Sequence, residues 1–272
     1  SHHARCLVQG RPGSGKTLAL CRLVEALISD GAASPEQILV LAASRFGVSE
    51  LRSRLSALLG TQTAEALTIT TVTALGLQFI HRHRRECGLE QWPQLLSRQE
   101  EFRLAEQVLL NAGQDLRRSG WTADVVLWVV QRMKALGIDP LDRRSTHNST
   151  EVVSRQAWRL FRAYEAAKRP EQIDAGDQIL RPLSALRGTP DLAHHPDFGQ
   201  RFRCVVADDV HGLSPAAAEM LLRFCSEDRR FVGSAADFIG GDGEAVARLF
   251  FGELGGCVTA ADLKRSQRSS LT

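Results

Sequence analysis

The sequence has no long apolar run, no closely spaced cysteine pair and no large net charge. No apolar stretch approaches the length of a membrane-spanning helix, so we expect no membrane contact. The six cysteines include no C-x-x-C pair, which is typical of free thiols in a reducing cytoplasm. A net charge of +3 is too small to indicate a nucleic-acid partner by itself. These absences predict a cytoplasmic globular protein.

Other kinds of catalytic site are missing as well. The sequence offers no Ser-His-Asp arrangement, no context for a cysteine nucleophile and no cluster typical of a nuclease metal site. What remains is an ordinary globular composition, with 43% hydrophobic and 24% charged residues in 272. That length predicts one large domain or two modest ones with a sizeable core.

One segment fits a phosphate-binding loop at every fixed position of the pattern G-x-x-x-x-G-K-[ST]. It consists of Gly10, Arg11, Pro12, Gly13, Ser14, Gly15, Lys16 and Thr17. The apolar run Cys6–Val8 predicts a strand before it, and helical spacing over Leu18–Ile28 predicts a helix after it. Backbone amides of such a loop bind phosphate, the lysine reaches the β- and γ-phosphates, and the threonine hydroxyl is a Mg²⁺ ligand. A glycine-rich turn before a helix is the alternative, and the filled pattern favours nucleotide binding.

Strand and helix patterns alternate at both ends of the chain but not in the middle. Buried-strand patterns cover 37–42, 66–70, 203–207, 230–233 and 256–260, with helical patterns between them. From about residue 84 to 195 the patterns are mainly helical. We therefore predict an α/β fold with a parallel sheet, made of residues 1–83 and 199–272 and interrupted by an inserted helical domain over 84–198.

The strand at 203–207 ends in two carboxylates, Asp208 and Asp209. A phosphate loop needs such a pair opposite it, one group to hold Mg²⁺ and the other to orient the attacking water. Carboxylates also end strands by chance. The apolar strand before the two carboxylates and the intact loop favour a functional pair over a chance one. Asp208 would be the metal ligand and Asp209 the water-activating group.

The order of further segments resembles the front half of a superfamily 1 DNA helicase of the UvrD/Rep type. Beyond the loop, six segments resemble family motifs: 38–55 (motif Ia), 70–75 (Ib), 173–180 (the D-F-D-D-L-L signature), 206–211 (II), 231–237 (III) and 263–269 (IV). The resemblance implies a RecA-like P-loop NTPase domain interrupted by an all-helical insert. Ser44-Arg45 and Asp208-Asp209 are similar to the RecB-like branch, which includes the AdnAB nucleases.

The resemblance also implies roles for individual residues. Asp209, Lys16 and Arg268 would be catalytic, Thr17 and Asp208 would bind Mg²⁺, and the loop would bind ATP. Asp237 stands where the family has a glutamine that senses the γ-phosphate. Single-stranded DNA would contact Ser44, Arg45, Thr71 and Thr73. A partner helicase or nuclease subunit is a further implied partner.

Several positions depart from the family pattern. Asp209 replaces a glutamate, His211 a glutamine, Ser234 an aspartate and Asp237 a glutamine, and Gly240 stands where a base-stacking aromatic is usual. These departures keep an alternative open, namely a degenerate, non-catalytic homologue that acts as a DNA-binding or scaffolding subunit. An unrelated P-loop kinase is a third hypothesis, which the long helical insert disfavours.

Two further expectations concern the extent of the chain and its surface. We expect the second motor domain to be absent, so that residues 1–272 alone bind nucleotide weakly and hydrolyse it poorly. The basic run His81–Arg85 would suit a DNA path, but a solvated helix end is the favoured interpretation. Trp128 and Trp158 lie on apolar helical faces, and we predict that both are in the core.

Overall fold

The computed structural model describes residues 5–113, 118, 120–140, 154–194, 202–224, 230–235, 246 and 257–259. The strands are β1 Arg5–Gln9, β2 Ile38–Ala42, β3 Thr68–Thr71, β4 Gln94–Leu95, β5 Gln172–Ile173, β6 Cys204–Ala207, β7 Arg230–Ala235 and β8 Cys257–Thr259. The helices are α1 Lys16–Ser29, α2 Arg45–Leu59, α3 Thr61–Ala66, α4 Val72–Arg82, α5 Arg98–Ala112, α6 Ala123–Ala135, α7 Arg155–Ala167, α8 Asp177–Gly188 and α9 Pro215–Phe224. Among these residues, no helix is both long and apolar enough to cross a membrane.

The chain divides into two compact units. The first comprises Ser1–Leu75 and Pro190–Thr272, and the second comprises Gly76–Thr189. The first unit contains a six-stranded sheet in the order β3-β2-β6-β7-β1-β8, and every pair in it is parallel. Parallel strands joined through helices are the predicted α/β, RecA-like arrangement, which is confirmed.

The core of the first unit lies between this sheet and its helices. Strand β2 is buried along its whole length, as expected of a parallel strand covered on both faces. Residues of α1 and α2, among them Leu20, Val24, Leu51 and Leu55, pack with the sheet in one apolar cluster. Because β6 lies between β2 and β7, its carboxyl end opens at the middle of the sheet edge.

The second unit is helical apart from a short parallel pair formed by β4 and β5. Helices α5, α6 and α7 share an apolar core that includes Val126, Val130, Leu160 and Phe161. Helices α4 and α8 approach so closely at Gly76 that an added Cβ would lie 1.9 Å from the backbone oxygen of Gln178. A glycine is therefore required at that position.

The two tryptophans predicted in the core differ. Trp158 is partly buried against the cluster of α5, α6 and α7. Trp128 is 65% exposed, so the prediction for it is wrong. The buried face of α6 is formed by Val126, Leu127, Val130 and Met133, and Trp128 projects from the other side.

A buried ion cluster joins α6, α7 and α8. The ammonium group of Lys134 lies 2.7, 2.5 and 2.7 Å from the carboxylates of Glu165, Asp174 and Asp177. Lys168 lies 2.7, 3.2 and 2.5 Å from the same three residues. Asp174 and Asp177 also accept each other's backbone N–H, at 3.1 and 3.0 Å, and so fix the start of α8. We refer to these five residues as the ion cluster.

Candidate nucleotide site

The loop between β1 and α1 has the backbone shape that its glycines allow. Gly13 and Gly15 have φ of 76° and 89°, in the left-handed region that side chains disfavour. A Cβ built at either position would meet nothing within 4 Å, so the dihedral angle rather than crowding requires glycine. The same open space would admit a ligand. Hydrogen bonds from Ser14 N–H to the Arg11 carbonyl (3.1 Å) and from Gly10 N–H to the Ala235 carbonyl (3.2 Å) hold the loop.

The amino end of α1 opens onto this loop. Gly15 occupies the N-cap position, and no side chain caps the first turn. Helix N-termini leave backbone N–H groups without intrahelical partners and carry a partial positive charge, which suits an anion. The Ser14 hydroxyl is buried without a hydrogen-bond partner, a polar group that a bound ligand would satisfy.

Lys16 is buried but meets only neutral oxygens. Its ammonium group donates to the carbonyls of Gly10 (2.9 Å) and Arg11 (3.1 Å), and the residue is 8% exposed. Within the part of the chain that the structure describes, no carboxylate lies at ion-pair distance from it. Carbonyls orient the ammonium group without cancelling its charge, so the loop keeps a positive charge where phosphate would bind.

Thr17 and Asp208 meet although they lie 191 residues apart in the chain. The Thr17 hydroxyl donates to the Asp208 carboxylate at 2.9 Å. Asp208 follows β6, and its N–H donates to the Leu41 carbonyl of β2 at 2.8 Å, which fixes the carboxylate at the sheet edge. A hydroxyl and a carboxylate this close are the oxygen ligands that Mg²⁺ prefers.

Ser234 contacts the carboxylate of Asp208 and the backbone amide of Asp209. It is fully buried on β7, and its hydroxyl donates to Asp208 and accepts the Asp209 N–H at 2.9 Å. The residue that stands where the family has an aspartate thus orients the proposed metal ligand. Sequence reasoning treated Ser234 only as a departure from the pattern and missed this role.

Asp209 adopts an unusual backbone conformation. Its φ of 52° and ψ of 48° make it the only non-glycine residue with positive φ in the described ranges. Its side chain is 52% exposed, and His211 Nδ1 lies 4.0 Å from its carboxylate. Partial burial, followed by the negative charge of Asp208, raises the pKa of Asp209, while His211 and Lys16 oppose the shift.

A cleft of about 480 Å³ lies over the loop. It is lined by Pro12, Gly13, Gly15, Lys16 and Thr17 of the loop and by Arg54, Asp209 and His211. Arg54 lies on α2 and pairs with Glu50 at 2.5 Å. Its basic side chain at the cleft suits an anionic ligand. The sequence segment resembling motif Ia contains Arg54, but that resemblance did not single it out.

The four residues predicted to contact DNA lie at the carboxyl ends of two paired strands. Ala42 of β2 is the register partner of Thr71 of β3. Ser44 caps α2 by accepting the Gly47 N–H at 3.1 Å, and Thr71 accepts the Ala74 N–H at 3.2 Å. Thr73 lies 3.1 Å from the Thr71 hydroxyl, and Arg45 is exposed. The fold therefore brings three hydroxyl groups and a guanidinium group to one edge, although Ser44 and Thr71 also serve as helix caps.

The family model for the UvrD/REP helicase N-terminal domain matches residues 1–239. The chain belongs to this family. The loop, the paired carboxylates and the helical insertion of this UvrD-type domain all fall within the matched range.

Relatives with established names support the assignment. DNA helicase II of Escherichia coli is 25% identical over 205 residues, which is 75% of this chain and 27% of that protein. The ATP-dependent DNA helicase PcrA of Leuconostoc citreum is 23% identical over 239 residues, 86% of this chain and 31% of the relative. PcrA of Staphylococcus aureus is 19% identical over 211 residues, which is 77% of this chain and 28% of that protein. The match thus spans less than a third of each relative, and the names do not favour the non-catalytic alternative.

Two predicted site residues lie outside the described residues. These are Asp237, assigned to nucleotide sensing, and Arg268, assigned to the γ-phosphate. Their roles remain predictions of the resemblance. Lys16, Thr17 and Asp209 line the cleft, and Asp208 contacts it through Thr17.

Proposed function

We propose that this UvrD-type domain binds ATP with Mg²⁺ and is the first motor domain of a DNA helicase or translocase that acts on single-stranded DNA. The contact between Thr17 and Asp208 carries the proposal, because it joins the helix after the phosphate loop to the carboxylate of a distant strand. A glycine-rich turn without a nucleotide function would not need this pairing.

The residues present fit both groups. Loop amides, the uncapped first turn of α1 and the Lys16 ammonium group would bind the phosphates, and the unpartnered Ser14 hydroxyl would gain a partner. Thr17 and Asp208 would hold Mg²⁺, with Ser234 keeping the carboxylate in place. When bound, the metal ion neutralises phosphate charge and polarises the phosphorus–oxygen bonds.

Asp209 is the residue that would orient and deprotonate the attacking water. A carboxylate whose pKa is raised is a stronger base than an ordinary aspartate, which suits the role. Its side chain is one methylene shorter than the glutamate of the family pattern. The left-handed backbone at this residue changes the direction of the side chain, and we propose that this conformation compensates for the missing methylene.

The edge formed by Ser44, Arg45, Thr71 and Thr73 is the proposed contact with single-stranded DNA. Hydroxyl and guanidinium groups bind phosphate oxygens and give affinity without sequence preference. The Arg45 side chain has no hydrogen-bond or ion-pair partner in the described part of the chain, so it is available for phosphate.

The test is ATP hydrolysis by the longest natural form of the protein, with and without single-stranded DNA. We expect DNA to stimulate hydrolysis and Lys16→Ala to abolish it. Arg45→Ala should weaken the stimulation and leave the basal rate unchanged. DNA binding without any stimulated hydrolysis would overturn the proposal and favour a scaffolding role.

A further inference from the structure

An exposed tryptophan lies over the basic end of α4 in the helical unit. Trp92 is 64% exposed. The guanidinium carbon of Arg84 lies 4.9 Å from the centroid of its ring, and the His81 ring lies 5.5 Å away at an angle of 41°. A cation over an indole is an attractive interaction, so Arg84 holds the ring in a defined position while most of its surface stays open.

The segment that contains both ring partners of Trp92 is basic. His81 to Arg85 contains three arginines and two histidines and no acidic residue. His81, Arg82 and Arg85 are exposed. The Arg84 Nε is buried without a hydrogen-bond partner, so the stacking on Trp92 rather than a hydrogen bond at Nε orients this side chain. Arg85 has no side-chain partner within the ranges that the structure covers.

We infer that His81, Arg84, Arg85 and Trp92 form a second contact for single-stranded nucleic acid, which we call the Trp92 platform. An unpaired base stacks on the indole of Trp92, and Arg85 binds an adjacent phosphate. This inference rests on the proposed function, because it assumes that the chain binds DNA. It gives a binding role to the basic run His81–Arg85, which the sequence analysis interpreted as a solvated helix end.

The physical basis is the pairing of an aromatic ring with fixed positive charge. Non-specific binding of single strands combines cations along the backbone with aromatic side chains on which bases stack. Every base offers a stacking face, so such a contact tolerates any sequence. A solvated helix end would need the arginines but not a large apolar ring held over them.

Trp128 shows that exposure alone does not mark such a contact. It is 65% exposed, almost the same as Trp92, and lies in the same unit on α6. Its exposed apolar neighbour on the helix is Val125, and in the described residues no cation lies over its ring. The two tryptophans therefore form a matched pair that differs in charge environment.

The experiment measures binding of a fluorescently labelled oligothymidine to the 272-residue chain by anisotropy. We expect Trp92→Ala to weaken binding roughly 5- to 30-fold, the loss of one base–aromatic stack. Trp128→Ala should stay within about twofold of the unchanged chain, and Trp92→Phe should retain part of the affinity. Thermal melting of each variant checks that the fold is kept.

Salt dependence separates stacking from phosphate binding. Arg85→Ala should reduce the slope of log affinity against log salt by about 0.7, the value for one phosphate contact on a single strand. Trp92→Ala should lower the affinity and leave the slope unchanged.

The possible failures are distinguishable. If Arg45→Ala weakens binding but Trp92→Ala does not, the proposed DNA site stands and the Trp92 platform is wrong. An equal loss for Trp128→Ala and Trp92→Ala would also overturn the platform, because the effect would then reflect general apolar surface. No binding by the unchanged chain would overturn both proposals.

Discussion

Two buried lysine environments in this molecule differ in what surrounds the ammonium group. Lys16 in the phosphate loop donates to two backbone carbonyls. Lys134 and Lys168 in the helical unit face three carboxylates at 2.5–3.2 Å. The positive charge of Lys16 is not neutralised by its partners, whereas the three carboxylates outnumber the ammonium groups of Lys134 and Lys168.

The difference separates a ligand site from a structural element. Neutral carbonyls orient an ammonium group and leave it able to attract an anion, whereas carboxylates satisfy it completely. Glu165, Asp174 and Asp177 have the spacing of a metal site. The two ammonium groups already occupy the space between these carboxylates, so we assign the ion cluster to the stability of the helical unit.

The pKa values in the ion cluster follow from this arrangement. Burial alone would raise the pKa of Asp177, but the charges of Lys134 and Lys168 outweigh it and hold the pKa well below its usual range. Burial alone would lower the pKa of Lys134, but Asp177, Asp174 and Glu165 outweigh it and raise the pKa well above 10.5. Lys134 and Asp177 are therefore both ionised across the physiological range.

The largest expected effect is the loss of stability on removing one ammonium group from the ion cluster. Lys134→Met leaves three buried carboxylates against a single lysine and should cost about 3–5 kcal/mol, the usual cost of an uncompensated buried charge. Hydrogen exchange of the amides of α6 and thermal melting would measure it.

Lys16→Ala is the matched control for this prediction. It removes a buried lysine that has only neutral partners, so the free energy of unfolding should fall by about 1 kcal/mol or less. Equal losses for the two variants would contradict the distinction between the environments.

Acid should weaken the helical unit through Asp177. Because its pKa is lowered in the folded state, its stabilising contribution is present above the unfolded value near 3.8 and is lost as the pH falls through the lower folded value. We expect a loss of about 2–3 kcal/mol from this group as the pH falls well below 4. Asp177→Asn should flatten the acid part of the curve of unfolding free energy against pH. An unchanged curve would count against the ion cluster as the source.

Ser234→Ala tests whether Ser234 holds Asp208 and Asp209 in position at the nucleotide site. The substitution removes the hydroxyl that contacts Asp208 and accepts the Asp209 N–H, and should cost about 1–2 kcal/mol of stability. It should also reduce the Mg²⁺ dependence of nucleotide binding, because the Asp208 carboxylate is less well held. Calorimetric titration at several Mg²⁺ concentrations measures this. Ser214→Ala, which removes a helix-capping hydroxyl elsewhere in the same unit, should leave the dependence unchanged.

The smallest expected effect is a gain of stability in Asp209→Asn. The raised pKa means that the folded state disfavours the ionised form, a penalty that develops as the pH rises through the pKa and is absent in acid. Asparagine is neutral and tolerates positive φ. Because the side chain is half-exposed, the gain at pH 7 should not exceed about 0.5 kcal/mol. If the gain in stability is the same at pH 3, it comes from the tolerance of asparagine for positive φ and not from removal of the negative charge.

The elements with strong periodicity could be predicted from the sequence. The strands at 38–42 and 204–207 lie within one residue of their predicted bounds, and the helices at 98–112 and 123–135 fall in the region predicted to be mainly helical. Buried parallel strands are continuous apolar runs, and both helices begin after a capping hydroxyl group, that of Ser97 or of Thr122. Helix α3 at Thr61–Ala66 was not predicted, because six residues are too few to establish a period.

Trp128 could not be placed correctly because its neighbours are apolar. All six residues at 125–130 are apolar, so the sequence pattern there does not distinguish one face of α6 from the other. The packing of α5 and α7 decides which side is buried, and this information is not local.

The phosphate loop could be predicted because its residues are contiguous and each has a fixed chemical role. The support from Ser234 and the left-handed conformation of Asp209 depend on strand neighbours and backbone angles that a pattern does not contain. The ion cluster was visible only in part. The segment 173–180 was singled out by resemblance, but its lysine partners lie 40 and 6 residues from Asp174.

The most direct test of the account is calorimetric titration of Mg²⁺-ATP into the 272-residue chain and its Lys16→Ala variant, with thermal melts of both. We expect measurable binding by the unchanged chain, weakened by chelating Mg²⁺. Lys16→Ala should lower the affinity at least about tenfold, the value of a charge-assisted contact with phosphate, with the fold retained. Equal binding by the two proteins, or no binding by the unchanged chain, would contradict the claim that the uncancelled charge of Lys16 marks a nucleotide site.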